Sequence, residues 1–281
     1  MKLGIVPKYL RLYGLEAGAA RLRAHGYDGI DYQGFVDTQT DFFNLPEDEF
    51  RARLEYERDV LAREGIVIHQ SHGPWRYPPI DATPQDRAER FAAMSKAIRG
   101  CTYLGTDKLI LHPLMPYGTK CAEHAEEQYK INFDFMRALC DVAAEHGVTL
   151  CFENMPFTML PIRSAVHVTD FVRDVNHPNL KVCLDTGHCL RLGESLPEAV
   201  RYVGHDLLAA LHVHDNDGTH DSHWLPYEGI GEWEAFVGAL REIGYDGFFS
   251  LETSVTGFPE PEQETRERAL ADIGKRLIGR I

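Results

Sequence analysis

Basic side chains are scarce in this chain. Only 29 lysines and arginines stand against 43 aspartates and glutamates, a formal net charge of −14 at pH 7. A nucleic-acid surface draws most of its affinity from neutralising phosphates with Lys and Arg, so this balance argues against a DNA or RNA partner. Long apolar runs are missing too. No stretch approaches the roughly 18 apolar residues a membrane span needs, and MKLGIVPKYL lacks the apolar core and small-residue cleavage site of an export signal. The six cysteines (Cys101, Cys121, Cys140, Cys151, Cys183, Cys189) include no C-x-x-C pair. Several fall inside apolar runs, where a thiol acts as a small hydrophobe. The expectation is a reduced, cytoplasmic protein with no membrane partner. A serine nucleophile elbow and a P-loop are also absent. The Gly-x-Gly of PYEGIGEW (Pro226 to Trp233) lacks the preceding strand and later acidic residue of a dinucleotide fingerprint, so it is expected to shape a helix entry.

Short β-type runs recur eight times, at 3–6, 28–33, 66–72, 107–112, 148–153, 180–185, 208–213 and 246–252. Between them lie segments such as RAERFAAMSKAIRGCTYL and EWEAFVGALREIGY, in which apolar residues return every three or four positions. Strands alternating with helices of this length indicate βαβ units and a parallel sheet. At 281 residues the chain matches the roughly 250 of an α/β barrel. The expectation is one (β/α)8 barrel domain over residues 1–281. Side chains alternate along a strand. That count sends Ile110, Cys151, Cys183 and Ser250 inward, with His112, Glu153, Asp185 and Glu252 at the inward strand ends; it sends His69 outward.

Those strand ends carry the chemistry. Glu153, Asp185, His212 and Glu252 close strands five to eight, at the barrel end where catalytic groups of such folds gather. Carboxylates and an imidazole converging from separate elements suit a divalent cation, with manganese, zinc or cobalt the metals for a mixed oxygen and nitrogen set. The chain therefore reads as a metalloenzyme. SHGPW (His72), LHP (His112), FEN (Glu153), LDTGH (Asp185, His188), LHVHD (His212), DSH (Asp221, His223) and SLET (Glu252) together resemble, in order and spacing, the xylose isomerase-like barrel superfamily. That group joins type 2 AP endonucleases to sugar isomerases and epimerases. The resemblance implies one metal on Glu153, Asp185, His212 and Glu252 in the sugar branch. In the endonuclease branch it implies three zinc ions on all nine residues. His214 shares the inward parity of His212, but the family's His-x-x-Asp spacing, ending here at Asp215, selects His212.

Low basic charge and short connections favour a small sugar or polyol substrate over DNA. The resemblance then implies that Glu153 and Glu252 exchange a proton beside a carbonyl, giving epimerisation or aldose–ketose isomerisation through an enediolate. A lyase or dehydratase acting on a keto sugar or keto-inositol is one alternative; an abasic-site endonuclease with three zinc ions is the other. His72, His112, His188, Asp221 and His223 are either ligands of further metal ions or contacts to substrate hydroxyls. Trp75, Trp224 and Phe258 are candidate aromatic walls, and His214 is a further pocket candidate. Lys8, Lys120 and Arg163 are too scattered along the chain to define a phosphate site. Family resemblance also implies a homo-oligomer.

Overall fold

The computed structural model describes residues 1–75, 79, 81–253, 259 and 261–279; Phe258 lies outside them. The apolar runs become β1 (Lys2–Ile5), β2 (Gly29–Tyr32), β3 (Val67–His72), β4 (Lys108–Leu111), β5 (Thr149–Glu153), β6 (Leu180–Asp185), β7 (Leu208–His212) and β8 (Phe248–Leu251). The intervening helices are α1 (Lys8–Tyr13), α2 (Leu15–His25), α3 (Glu47–Arg63), α4 (Pro84–Leu104), α5 (Ala125–Glu145), α6 (Ala165–Val175), α7 (Thr186–Arg191), α8 (Leu196–Val203), α9 (Trp233–Glu242) and α10 (Glu262–Ile278). All strand pairings are parallel, in the order β7-β6-β5-β4-β3-β2-β1-β8. Val213 closes the ring: its N–H donates to Ser250 O at 2.8 Å and its carbonyl accepts from Glu252 N at 2.9 Å. The fold is a (β/α)8 barrel. No helix among the described residues is long and apolar enough to cross a membrane.

Alternation along the strands sorts the core into two layers. Leu109, Leu111, Leu150, Phe152, Val182 and Leu184 join the large cluster between strands and helices. The intervening Ile110, Cys151 and Cys183 pack with Ala210 inside the barrel. All six cysteines are buried and free. Ile110, Cys151, Cys183 and Ala210 each lie two residues before a polar group at or just past its strand's end: His112, Glu153, Asp185 and His212.

Simple alternation fails at two bulges. Ile30 pairs with Ile68 but Asp31 pairs with Gln70, so His69 is an extra residue in β3; in β7 the pairing likewise steps from Leu208 to Ala210. A bulge leaves two consecutive side chains on one side. His69 therefore does not point outward as a strict count requires. Its Nε2 lies 3.1 Å from the inward hydroxyl of Ser250, and its ring stacks on Phe248 at 4.1 Å. Gly4 makes room for it, since a Cβ there would meet the ring at 2.3 Å.

The long connection after β7 is organised by one carboxylate. Asp215 Oδ1 accepts from Asn216 N (2.9 Å) and Gly231 N (3.1 Å). Its Oδ2 accepts from Tyr227 N (3.0 Å), Gly229 N (3.0 Å) and the Trp233 indole (2.9 Å). PYEGIGEW thus wraps a buried acid on its way into α9, and Tyr227 is held at φ 75° within it. Asp215→Ala strands several of these donors away from water, so unfolding free energy should fall by about 3 kcal/mol or more. Urea denaturation followed by tryptophan fluorescence measures this; a loss below about 0.5 kcal/mol, the scale of an ordinary surface change, would show that the loop does not depend on this acid.

Candidate metal centre

The barrel brings Glu153, Asp185, His212 and Glu252 together, with one donor atom of each within 4.8 Å of the others. His212 Nδ1 is the common neighbour. It lies 2.7 Å from Glu153 Oε1, 3.2 Å from Glu252 Oε2 and 4.0 Å from Asp185 Oδ2. Glu153, Asp185 and His212 are buried, whereas the Glu252 side chain retains 20% exposure.

The opposite ring nitrogen of His212 explains the orientation. Nε2 donates to Asp31 Oδ2 at 2.7 Å, and Gln70 donates to the same oxygen at 3.0 Å. With its hydrogen on Nε2, a neutral ring points the Nδ1 lone pair at three carboxylates. That is repulsive unless positive charge lies between them. In the protein alone the carboxylates favour a second proton on the ring. Burial works against the charged ring, yet Glu252 and Glu153 hold its pKa well above the ordinary value. Burial would raise Glu153, but His212 and His112 keep it well below the usual carboxylate range. A divalent cation fits this donor set and would take the proton's place, with Asp31 fixing the ring as carboxylates behind metal-binding imidazoles do. Asp31 is not among the sequence candidates; it lies one residue before the end of β2, whereas Glu153 and Asp185 are the last residues of their strands.

Two further groups adjoin the first. Glu153 Oε2 accepts from His112 Nε2 at 2.7 Å; His72 Nε2 lies 3.1 Å from that nitrogen. On the other side Asp221 Oδ2 lies 3.4 Å from both His188 Nε2 and His223 Nε2. Three rings are locked by backbone carbonyls, which only accept: Nδ1–H of His72 donates to Gly73 O (2.8 Å), of His188 to Asn154 O (2.7 Å), and of His223 to Glu252 O (2.7 Å). Each presents Nε2 to the centre. Despite burial, Asp185 and Asp221 raise His188 to about 10, and Asp221 and Glu252 raise His223 to about 9. Burial instead pushes His112 down to about 4.

The motif letters acquire separate jobs. In FEN, Asn154 clips β5 to β6, donating to Asp185 O at 2.9 Å and accepting from Asp185 N at 2.8 Å. Within LDTGH, Asp185 also caps α7 by accepting from His188 N at 2.6 Å. Thr186 donates to His214 O at 2.8 Å, and Gly187 is obligatory, because a Cβ there would come within 1.9 Å of the His214 ring.

A cavity of about 170 Å³ opens above the centre, with Trp75, Met155 and Phe157 on one wall and His112, His188 and His223 among its polar lining. Trp75 meets His112 edge to face at 4.4 Å. Trp224 is placed differently: it is 37% exposed, pairs through its backbone with Asp215, and does not line this cavity. His214 does not line this cavity either, but it groups with Asp185 and His188, and with Asp221 and His223, closely enough to be a further metal donor. It is fully buried, 3.1 Å from Asp185 Oδ2 and stacked beneath His223 at 3.9 Å.

A family model described as a xylose isomerase-like TIM barrel matches residues 19–272. The chain belongs to that family. It is 27% identical over 212 residues to D-psicose 3-epimerase of Agrobacterium fabrum, covering 73% of this chain and 70% of the relative. It is 24% identical over 184 residues to inosose isomerase of Bacillus subtilis, covering 63% and 64%. Among solved structures, the IolI protein with a bound zinc atom matches with a TM-score of 0.74 at 18% identity, covering 100% of this chain and 99% of that one.

Metal uptake must displace the protons that the carboxylates now hold on imidazole, so affinity should rise with pH as those protons become easier to remove. Titrating zinc or manganese into chelator-stripped protein at about pH 6 and about pH 8 checks the sign; equal affinities would remove the proton-for-metal exchange. Asp31→Asn, which weakens the acceptor behind His212, should lower metal affinity roughly 10- to 100-fold.

Proposed function

We propose that this protein is a divalent-metal-dependent epimerase or isomerase of a sugar or sugar-like polyol, with Glu153 and Glu252 as its acid/base pair. The observation that carries this reading is the arrival of two carboxylates that line the cavity, from the ends of strands β5 and β8, at one imidazole nitrogen buried behind it. A proton on carbon beside a carbonyl is too weakly acidic for a free carboxylate to remove quickly. A manganese, zinc or cobalt ion held by Glu153, Asp185, His212 and Glu252 would polarise that carbonyl and stabilise the negative charge left by proton removal.

Glu252 is the more open of the pair and reaches the substrate carbon from its side of the mouth. Glu153 serves the other side, its Oε2 held by the His112 hydrogen bond. Return of the proton to the other face of the same carbon gives an epimer; return to the neighbouring carbon gives an isomer. The Trp75 ring suits the C–H face of a sugar ring, and the imidazoles that line the same cavity suit its hydroxyls. The epimerase and inosose isomerase relatives support a ketose or keto-inositol substrate. With a leaving group beside the same carbon, this pair would instead eliminate.

One observation favours a second reading: all nine residues of the endonuclease pattern surround this centre, in groups sharing Glu153 and Asp221. The net charge of −14 opposes it. Metal-dependent nicking of an abasic duplex at low salt would establish it.

For the main reading, Glu252→Gln and Glu153→Gln each keep an oxygen near the metal but lose basicity. Turnover should fall roughly 10²-fold or more, while substrate binding persists. In D₂O the wild-type protein should place deuterium at the carbon beside the carbonyl of a substrate found among ketoses and keto-inositols. Both variants should slow that exchange; near wild-type exchange in both would refute the two-carboxylate mechanism.

A further inference from the structure

A second cavity, of about 320 Å³, continues from the first. The two share Gln33, His223 and Glu252, and beyond these the second is lined by Lys8 and Arg11 of α1, with Val6 and Ser222. Along the sequence Lys8 looked isolated; one turn of helix sets Arg11 beside it. Among the described residues neither cation has an acid partner within ion-pair distance, while the Gln33 Nε2 donor is buried without an acceptor. Lys8 is half-buried. Glu252, the one acid in this lining, attracts Lys8 from beyond ion-pair distance and Arg11 repels it, so a half-buried ammonium and an exposed guanidinium give the cavity two cations to one carboxylate. The guanidinium fork and the ammonium both suit an oxyanion. In a chain of net charge −14, a corner with two cations to one acid is a local exception.

We propose that Lys8, Arg11 and Gln33 form a subsite for an anionic terminus, a carboxylate or a phosphate monoester, so that the substrate is an acidic sugar rather than a neutral one. This rests on the proton-transfer reading of the adjoining centre. A substrate whose reacting carbon lies at Glu252 has its far end in the second cavity, because Glu252 belongs to both. Lys8 and Arg11 would act as specificity residues, remote from the transferred proton.

The test compares metal-loaded wild type with Lys8→Gln/Arg11→Gln, and with Arg11→Gln alone at its exposed position, after matching unliganded melting temperatures. Substrates are a ketose, its terminal phosphate monoester and its terminal carboxylate. Wild type should favour one or both anionic members in kcat/KM by roughly 10- to 100-fold, the range for a charge-assisted hydrogen bond. The double variant should lose that preference and change little toward the neutral ketose. A wild type that prefers the neutral ketose, or variants that lower all three alike, would overturn the subsite. A binding measurement separates this from failure of the catalytic reading. Inorganic phosphate or acetate should raise the melting temperature of wild type more than that of either variant, and the stronger anion identifies the terminus. Equal shifts would refute the subsite even if turnover is found; unequal shifts without turnover of any sugar would keep the subsite and refute the epimerase.

Discussion

At the mouth of the barrel, His212 Nδ1 lies 2.7 Å from Glu153, 3.2 Å from Glu252 and 4.0 Å from Asp185, where water scarcely reaches. Carboxylates this close repel one another strongly when solvent does not screen them, so the arrangement persists only around positive charge. Much of the surrounding structure follows from that requirement. Asp31 turns His212 so that one nitrogen faces the acids. Carbonyls of Gly73, Asn154 and Glu252 do the same for His72, His188 and His223. A proton or a divalent ion can satisfy the same geometry, and a site that exchanges one for the other binds metal more tightly as pH rises.

Backbone irregularities serve this arrangement. The β3 bulge gives both His69 and Gln70 inward positions, one for the barrel interior and one to donate to Asp31. After β7, Asp215 gathers a loop whose backbone pairs Asp215 with Trp224, fixing the chain next to His223. His223 in turn ties its ring to the carbonyl of Glu252. An acid that touches no substrate thus helps set the position of a residue that lines both cavities.

The two cavities divide the mouth by chemistry. One offers an aromatic wall and imidazoles above the acid cluster; the other presents ammonium, guanidinium and amide groups. Glu252 stands at their junction and is also the most exposed of the four clustered side chains.

Strand number, strand order and the inward position of Glu153, Asp185 and Glu252 were legible in the sequence, because alternation and strand ends are local properties of a short apolar run. His212 followed from motif spacing. The inward turn of His69 was not legible, since a bulge arises from pairing with β2 and leaves no local mark. Asp31 looked like any strand acid until β7 brought His212 to it from 181 positions away. Trp224 and His214 shared the strand-end and loop context of pocket residues, but the Asp215 network and the stacked His223 ring put one outside the cavity and buried the other beneath it. Lys8 and Arg11 came to line one cavity with Glu252 only when β1 and β8 paired and set α1 beside that acid. The sequence determined which chemical groups the barrel mouth would hold, because each sits where a local pattern ends. Tertiary structure decided which of them face one another, because electrostatics and hydrogen bonding act over a few ångströms of space, whatever the separation along the chain.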